Sequence, residues 1–319
     1  NEYNLNKNRL VKIEQHQTGD KFWDCSIDRF HERIRAFVKI EDGCDRFCSY
    51  CIIPKSRGRV RSKPLDTLKN EIEALANGGI REIVLVGINL SAYGKGEDFN
   101  IVDAVKICNE NEKIKRIRLG SLEPDHLTDE VIEGLANCEK LCPQFHISLQ
   151  SGCNKTLKSM NRHYTAEEYK ALCTKLRASF DDASLTTDVM VGFNDETEAD
   201  FNESLDFVKE IAFEKVHVFP YSERVGTAAS KRGDNVSKQE KERRAAVMIE
   251  ETEKIRHNYL KSLVNTSKKV LFENEIKPGI YQGYTKSYLP VRMKYDRNIV
   301  GEELEVKITN YCDEFCIAE

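Results

Sequence analysis

Ile34-Arg-Ala-Phe-Val-Lys-Ile40, then Glu41-Asp-Gly43, then Cys44-Asp-Arg-Phe-Cys48-Ser-Tyr-Cys51: this run decides the fold. Its first part alternates side chains as a strand does. The cysteines follow at once, so they occupy the loop that leaves that strand. Outward from them, strand-like and helix-like segments take turns. Further strands are read at Ile83 to Ile88, Ile114 to Leu119, Phe145 to Leu149, Leu185 to Val191 and Lys215 to Phe219. Helices are read at Leu65 to Asn77, Ile101 to Asn111, Thr128 to Asn137, Thr165 to Phe180 and Glu196 to Ile211. Thr165 and Glu168 have the spacing of a capping box. Six strands alternating with helices predict an α/β fold of parallel βα units, either a partial barrel or an open sheet. In both, chemistry belongs at the C-terminal ends of the strands.

After Gly226 the pattern changes. Ser237 to Leu263 reads as one long charged helix, with acids and bases interleaved as on a solvated face. Beyond it, Lys269 to Glu273, Gly279 to Gly283, Leu289 to Met293 and Glu303 to Lys307 read as strands of a small all-β barrel. The boundary is placed near residue 262.

Composition narrows the class. The chain has 319 residues, 40% hydrophobic and 32% charged, which suits a folded protein of about two domains. No apolar run approaches the roughly 18 residues of a membrane span. The formal charge is −4, so overall charge announces no nucleic-acid partner. The start, Asn1-Glu-Tyr-Asn4, has neither Met nor a signal pattern and reads as the beginning of a fragment. Eleven cysteines without an export signal point to metal chemistry or packing rather than disulfides, in a cytoplasmic protein.

Cys44, Cys48 and Cys51 have C-x3-C-x2-C spacing. Three thiolates so spaced can hold three irons of a [4Fe–4S] cube and leave the fourth open. An open iron can chelate the amino and carboxylate groups of S-adenosylmethionine, whose sulfonium an electron then cleaves to a 5′-deoxyadenosyl radical. A structural zinc site needs a fourth ligand, and no Cys or His follows Cys51 at the usual spacing.

With these residues the chain resembles the radical SAM methylthiotransferase family. The run from Ile40 to Ser62 carries the resemblance. So do Ser121-Leu-Glu-Pro124, Phe145-His-Ile-Ser-Leu-Gln-Ser-Gly-Cys153, Met160-Asn-Arg162, Thr187-Asp-Val-Met-Val-Gly-Phe193 and Phe219-Pro-Tyr-Ser222. It is most similar to the branch that methylthiolates C2 of N6-threonylcarbamoyladenosine at position 37 of tRNA. The resemblance implies a partial (β/α)6 TIM-like barrel over residues 34–261 and a TRAM-like RNA-binding barrel over 262–319. Residues 1–33 would be the tail of a preceding cluster domain and a linker. It also implies a second [4Fe–4S] cluster held by that preceding domain, without which thiolation should not go to completion. Partners would be tRNA, an electron donor such as a flavodoxin or ferredoxin, and a sulfur source, with no membrane. Two targets stay open within the family, isopentenyladenosine-37 of tRNA and a ribosomal-protein aspartate. Outside it stands a zinc-containing RNA-binding protein without catalysis.

Carried over by position, Cys44, Cys48 and Cys51 would bind the cluster. Phe47 and Tyr50 would shield it and face adenine. Gly87 would let backbone approach the methionine part of S-adenosylmethionine. Glu123, Gln150, Arg162 and Asp188, at or just beyond strand ends, would meet its polar groups; helix caps or structural ion pairs are the competing roles. Lys55, Arg57, Arg59, Arg61 and Lys63 alternate after the cysteines. If extended, they would project to one side and attract phosphate. Tyr281, Tyr284, Tyr288 and Tyr295 interleave with Lys286, Arg292, Lys294 and Arg297, a pattern suited to stacking on bases. Tyr284, Lys286 and Arg292 are the RNA candidates drawn from it. The remaining cysteines read as packing residues. One departure from the family is Asn194-Asp195, where Pro-Gly is usual; both residues tolerate turns.

Overall fold

A curved wall of parallel strands carries the chain, as the alternation predicts. The computed structural model describes residues 19–23, 34–312 and 314–319. Strand β1 is Arg35–Lys39. The two-residue strands β2 (Glu41–Asp42) and β3 (Arg61–Ser62) then pair antiparallel and bracket the cysteine loop, which also contains helix α1 (Ile53–Arg57). The βα series continues through α2 (Leu65–Asn77), β4 (Glu82–Val86), α3 (Ile101–Glu110), β5 (Arg116–Leu119), β6 (Ser121–Leu122), α4 (Asp129–Ala136), β7 (Gln144–Ile147), α5 (Asn154–Ser159), α6 (Ala166–Ser179), β8 (Ser184–Val191), α7 (Glu198–Ile211), β9 (Lys215–Pro220) and α8 (Lys238–Ser262). The sheets run β1-β4-β5 and β6-β7-β8-β9, with every pairing parallel. Only Gly120 separates β5 from β6. The two act as one strand that bends there and joins the sheets.

Alternation along the strands sorts the two faces. Ala36, Val38, Ile83, Leu85, Ile117 and Leu119 are buried toward the helices. The opposite face lines a lumen with Arg35, Glu82, Arg116 and Arg118. Helix starts are fixed by side chains. Thr165 and Glu168 form the expected capping box, and Asn100 with Asp103 and Thr197 with Asp200 form two more. Each such cap is worth about 1 kcal/mol. The long helix is not simply a solvated face, which corrects its charge pattern. Lys241 and Arg244 are buried, the first on the Tyr221 carbonyl (3.1 Å) and Asp234, the second on Glu196 (2.8 Å). Gly192, at φ +68, leaves room for the Lys241 stem.

The basic run after the cysteines is not one extended stretch; among its cations only Arg61 lies on a strand, β3. Pro54 favours a helical first turn, so Lys55 and Arg57 lie on α1, and Lys55 binds the Gly226 carbonyl. Arg57 and Arg61 approach Asp42 at 3.6 Å, and Arg59 approaches Asp45 at 3.3 Å. Lys63 is buried on Glu71. The five cations therefore do not share one side.

The C-terminal module is a closed barrel of β10 (Ser267–Lys277), β11 (Ile280–Thr285), β12 (Pro290–Lys294), β13 (Glu303–Tyr311) and β14 (Cys316–Ala318), ordered β10-β11-β12-β14-β13. Its fifth strand is too short to read from sequence. Pro278-Gly279 makes the first hairpin turn, with Gly279 at φ +72 as a type II turn requires.

This module docks under the lumen, at the N-terminal ends of the catalytic strands. Arg118, 2% exposed, donates to the carbonyls of Thr285 and Lys286 (2.8 Å each) and to Glu82 (2.9 Å). Arg116 holds the Tyr284 carbonyl (2.7 Å) and Glu303 (2.9 Å). Arg35 pairs with Glu82 and Glu273 and lies over the Tyr284 and Tyr288 rings, which stack at 4.8 Å. The RNA candidates Tyr284 and Lys286 therefore also make contacts in this dock. The Tyr284 ring is taken up by Tyr288 and Arg35, and Lys286 is pinned by its carbonyl while its ammonium lies 3.3 Å from the Glu139 carbonyl. Tyr281 is buried in the barrel core. Arg292 covers the Phe315 ring at 3.7 Å and donates to Gln282 at 2.8 Å.

Candidate cluster and cofactor site

Backbone bonds shape the cysteine loop. The Cys44 amide donates to the Gly58 carbonyl (3.0 Å), Cys51 to Cys48 (2.9 Å), and Ser49 to Met160 (2.9 Å). Gly43, at φ +89, starts it; a Cβ there would lie 2.0 Å from the Arg59 carbonyl oxygen, so no other residue fits. Phe47, at φ +52, is 48% exposed with Arg59 over its ring at 4.9 Å. Tyr50 packs edge-on against Phe193, in a cluster with Met160, Met190 and Tyr221.

Arg162 ties the loop to the wall. It donates to Cys48 Sγ (3.2 Å), Tyr164 (2.9 Å) and the Ser148 carbonyl (3.2 Å), and forks onto Glu123. Arg46 binds Asp125 and reaches Glu123 at 3.3 Å. Burial works against the Asp125 charge, but the Arg46 bond outweighs it and holds that carboxyl below the usual range. Two arginines and two carboxylates therefore form one network beside the cysteines.

Gln150 sits just past β7 at φ +68, a strained conformation for a side-chain-bearing residue. Its backbone N–H donates to the Asp188 carbonyl (2.9 Å), and its side-chain Oε1 is buried without a partner among the described residues. Gly87 follows β4 as expected, but the reason for glycine is local. A Cβ would lie 2.6 Å from Glu41 Oε2. Asp188 departs from the reading. It lies inside β8, three residues short of its end, with Oδ2 3.3 Å from His146 Nε2.

Four participants escaped the sequence reading: Arg46, Asp125, Tyr164 and Glu41. Glu41 is fully buried. Its Oε2 accepts the Asn89 amide (2.7 Å), coupling the cysteine loop to the loop after β4. Burial pushes its carboxyl up to about 7, against the pull of the Asn89 bond. Nothing in the dipeptide Glu41-Asp42 distinguishes it from a solvated turn.

The residues fit a polynuclear iron site. Burial pushes the Cys44 thiol up to about 11 and raises Cys51 as well, so thiolates here need a positive centre, which a cluster's irons provide. Among the described residues no three His, Cys, Asp or Glu side chains converge on a single ion. The departure at Asn194-Asp195 keeps its loop. Asp195 takes φ +62, and its amide donates to Asn235 (2.9 Å), while Asn194 binds the Gly233 carbonyl. Of the packing cysteines, Cys108, Cys138, Cys142, Cys153, Cys173 and Cys316 are buried and Cys312 half-buried; Cys25 lies outside the described residues.

Comparison with known proteins agrees with this geometry. Residues 38–208 match the radical SAM superfamily. The threonylcarbamoyladenosine tRNA methylthiotransferase of Thermotoga maritima is 36% identical over 290 residues, 91% of this chain and 66% of that protein. The tRNA-2-methylthio-N(6)-dimethylallyladenosine synthase of Natranaerobius thermophilus is also 36% identical, over 97% of this chain and 69% of its own length. The chain thus spans about two thirds of these relatives. The solved coproporphyrinogen III oxidase of Escherichia coli, a radical SAM enzyme, shares the fold at a TM-score of 0.53 and 15% identity, over 82% of this chain and 68% of its own. With the cysteine loop, the parallel wall and these relatives in agreement, the chain belongs to the radical SAM superfamily, in its methylthiotransferase family.

Proposed function

We propose that the chain carries the catalytic core and the RNA-binding barrel of an enzyme that adds a methylthio group to C2 of N6-threonylcarbamoyladenosine at position 37 of tRNA. The observation that carries the radical chemistry is the cysteine loop held against the wall by Arg162, which touches both Cys48 and Glu123. The cofactors that define the superfamily are a [4Fe–4S] cluster and S-adenosylmethionine. Cys44, Cys48 and Cys51 would hold the first; Glu123, Gln150, Arg162 and the Gly87 loop would bind the second. When bound, the cluster supplies the electron that splits the sulfonium. Arg162 donates to the Cys48 sulfur and so orients it. Phe47, Tyr50 and Phe193 make the apolar side of the mouth and keep water from it. The rigid dock of the small barrel fixes its distance from that mouth.

Equal identity to the two kinds of tRNA relative supports a tRNA methylthiotransferase but does not separate the two modified adenosines. Mass spectrometry of tRNA nucleosides from a deletion strain does. Loss of the 2-methylthio-threonylcarbamoyl nucleoside alone supports the proposal. Loss of the isopentenyl counterpart selects the other target. Iron analysis tests the chemistry directly: about four irons per reconstituted chain, against one zinc for a non-catalytic protein. Flavodoxin or ferredoxin as the reductant, and a sulfur source, complete the proposed partners. No described helix is long and apolar enough to cross a membrane.

A further inference from the structure

The lumen holds a polar tier that neither the cysteine loop nor the Glu123 network uses. Parallel register places Ser121, His146, Thr186 and Lys215 side by side on β6, β7, β8 and β9, and Asp188 beside His217 one tier above. His146 spans the two tiers. Its Nδ1 is 3.0 Å from Thr186 Oγ1 and its Nε2 is 3.3 Å from Asp188 Oδ2. The His217 ring lies 5.9 Å from that of His146 and is exposed, as is Ser121. Below them is a chamber of about 400 Å³, floored by Tyr284, Ser287 and Tyr288 of the docked barrel.

The chamber favours a hydrogen-bonding group over an apolar one. The chamber and the tier above it carry two cations, Lys215 and Arg256, and two carboxylates, Glu214 and Asp188, and Arg256 already donates to the Glu214 and Glu314 carbonyls (3.1 and 3.2 Å). The Glu214 carboxylate is already engaged by the Leu185 amide (2.6 Å) and Arg177 (3.4 Å). Partial loss of hydration inside the lumen, with Lys215 nearby, holds His217 below the ordinary histidine range, and a neutral imidazole can donate and accept. Depth is also right. Asp188 and His217 lie three residues before the ends of β8 and β9, about 10 Å below the mouth at roughly 3.3 Å per residue. Met190 and Phe219 form the next tier up, so a substituent of several atoms on a base at the mouth would reach Asp188 and His217 by passing between these two side chains.

We propose that this tier receives the substituent on N6 of the substrate adenine, and that His217 and Thr186 select a group bearing a carboxylate and a hydroxyl over a purely apolar one. The proposal rests on the tRNA reading above and names the residues that would decide between its two adenosines. A site built for hydrogen bonds rejects an analogue that lacks them, because its own polar groups are then left unpaired.

The test compares three labelled RNA stem–loops that differ only at N6 of the reactive adenosine: unmodified, threonylcarbamoyl and isopentenyl. Each is bound to the cluster-reconstituted protein with S-adenosylmethionine present, and affinity is read by fluorescence anisotropy. The threonylcarbamoyl loop should bind at least about tenfold tighter than the isopentenyl loop. His217→Leu and the near-isosteric Thr186→Val should each shrink that ratio, to within about threefold for the first. The ratio cancels any general loss of folded protein. Equal affinity for the two modified loops, or a preference left intact in both variants, overturns the proposal. If no loop binds better than a scrambled RNA, the tRNA reading itself falls, and this inference with it.

Discussion

The two ends of the catalytic wall are both laced by arginines, yet they do different work. At the mouth, Arg46 and Arg162 meet Glu123 and Asp125, and one of them touches a cysteine sulfur. At the floor, Arg35, Arg116 and Arg118 meet Glu82, Glu273 and Glu303, and the remaining donors of Arg116 and Arg118 hold the backbone carbonyls of residues 284–286. The mouth arginines come from loops near the chemistry and brace the cysteine loop. The floor arginines come from strands and fasten one domain to another. The same side chain, with five donors in a fixed fork, serves chemistry in one place and architecture in the other.

Removing the cysteines should separate the ends most sharply. Cys48→Ser should abolish cofactor cleavage, measured as 5′-deoxyadenosine, and take reconstituted iron well below about four per chain, while urea unfolding of the apo chain stays close to wild type. A large loss of apo stability would mean that the mouth also bears the fold.

The converse is Arg118→Met. It strips two carbonyls of their donor and leaves the fully buried Glu82 with Arg35 as its remaining arginine. A cost of about 3–5 kcal/mol is expected. Protease sensitivity should appear between Ser262 and Ser267, with the iron content of surviving protein unchanged. If iron is lost in step with the barrel, the ends are not independent.

Glu41 sharpens the comparison through pH. Its carboxyl is raised from 4.5 to about 7, so the folded state binds the extra proton. Its contribution is complete below pH 4.5 and is lost as pH rises through 7. At most about 2–3 kcal/mol should disappear between pH 5 and 8, and Glu41→Gln should flatten that slope in urea titrations. An unchanged slope would assign the pH dependence elsewhere.

The smallest effect belongs to the Asn194-Asp195 loop. Asp195 is exposed at φ +62, so Asp195→Gly relieves the backbone and forfeits the Asn235 contact. The two should nearly cancel, leaving stability within about 0.5 kcal/mol of wild type. A drop several times larger would show that the departure is an adaptation of this mouth.

How much was legible follows the same division. The cysteine spacing, the βα alternation and the Thr165 capping box are local patterns, and each was readable because its parts sit within one loop, one strand or one helix turn. Glu123 and Arg162 could be placed at strand ends, but their fork joins residues 39 apart in sequence. Asp188 was misplaced because period-2 alternation marks a face of a strand, not a height along it. The alternating cations from Lys55 to Lys63 were misread because Pro54 starts a helical turn that breaks the period. Tyr284 and Lys286 look the same in sequence whether they face RNA or a neighbouring domain.

The sequence by itself determined the reaction class and the order of elements, since thiol spacing and hydrophobic period act over a few residues. Only the tertiary structure decided which arginine meets which carboxylate, where the small barrel docks, and that His146 and His217 share a chamber. Those contacts depend on strand register and on the curvature of the sheet, which bring distant residues together and leave no trace in any short stretch of chain.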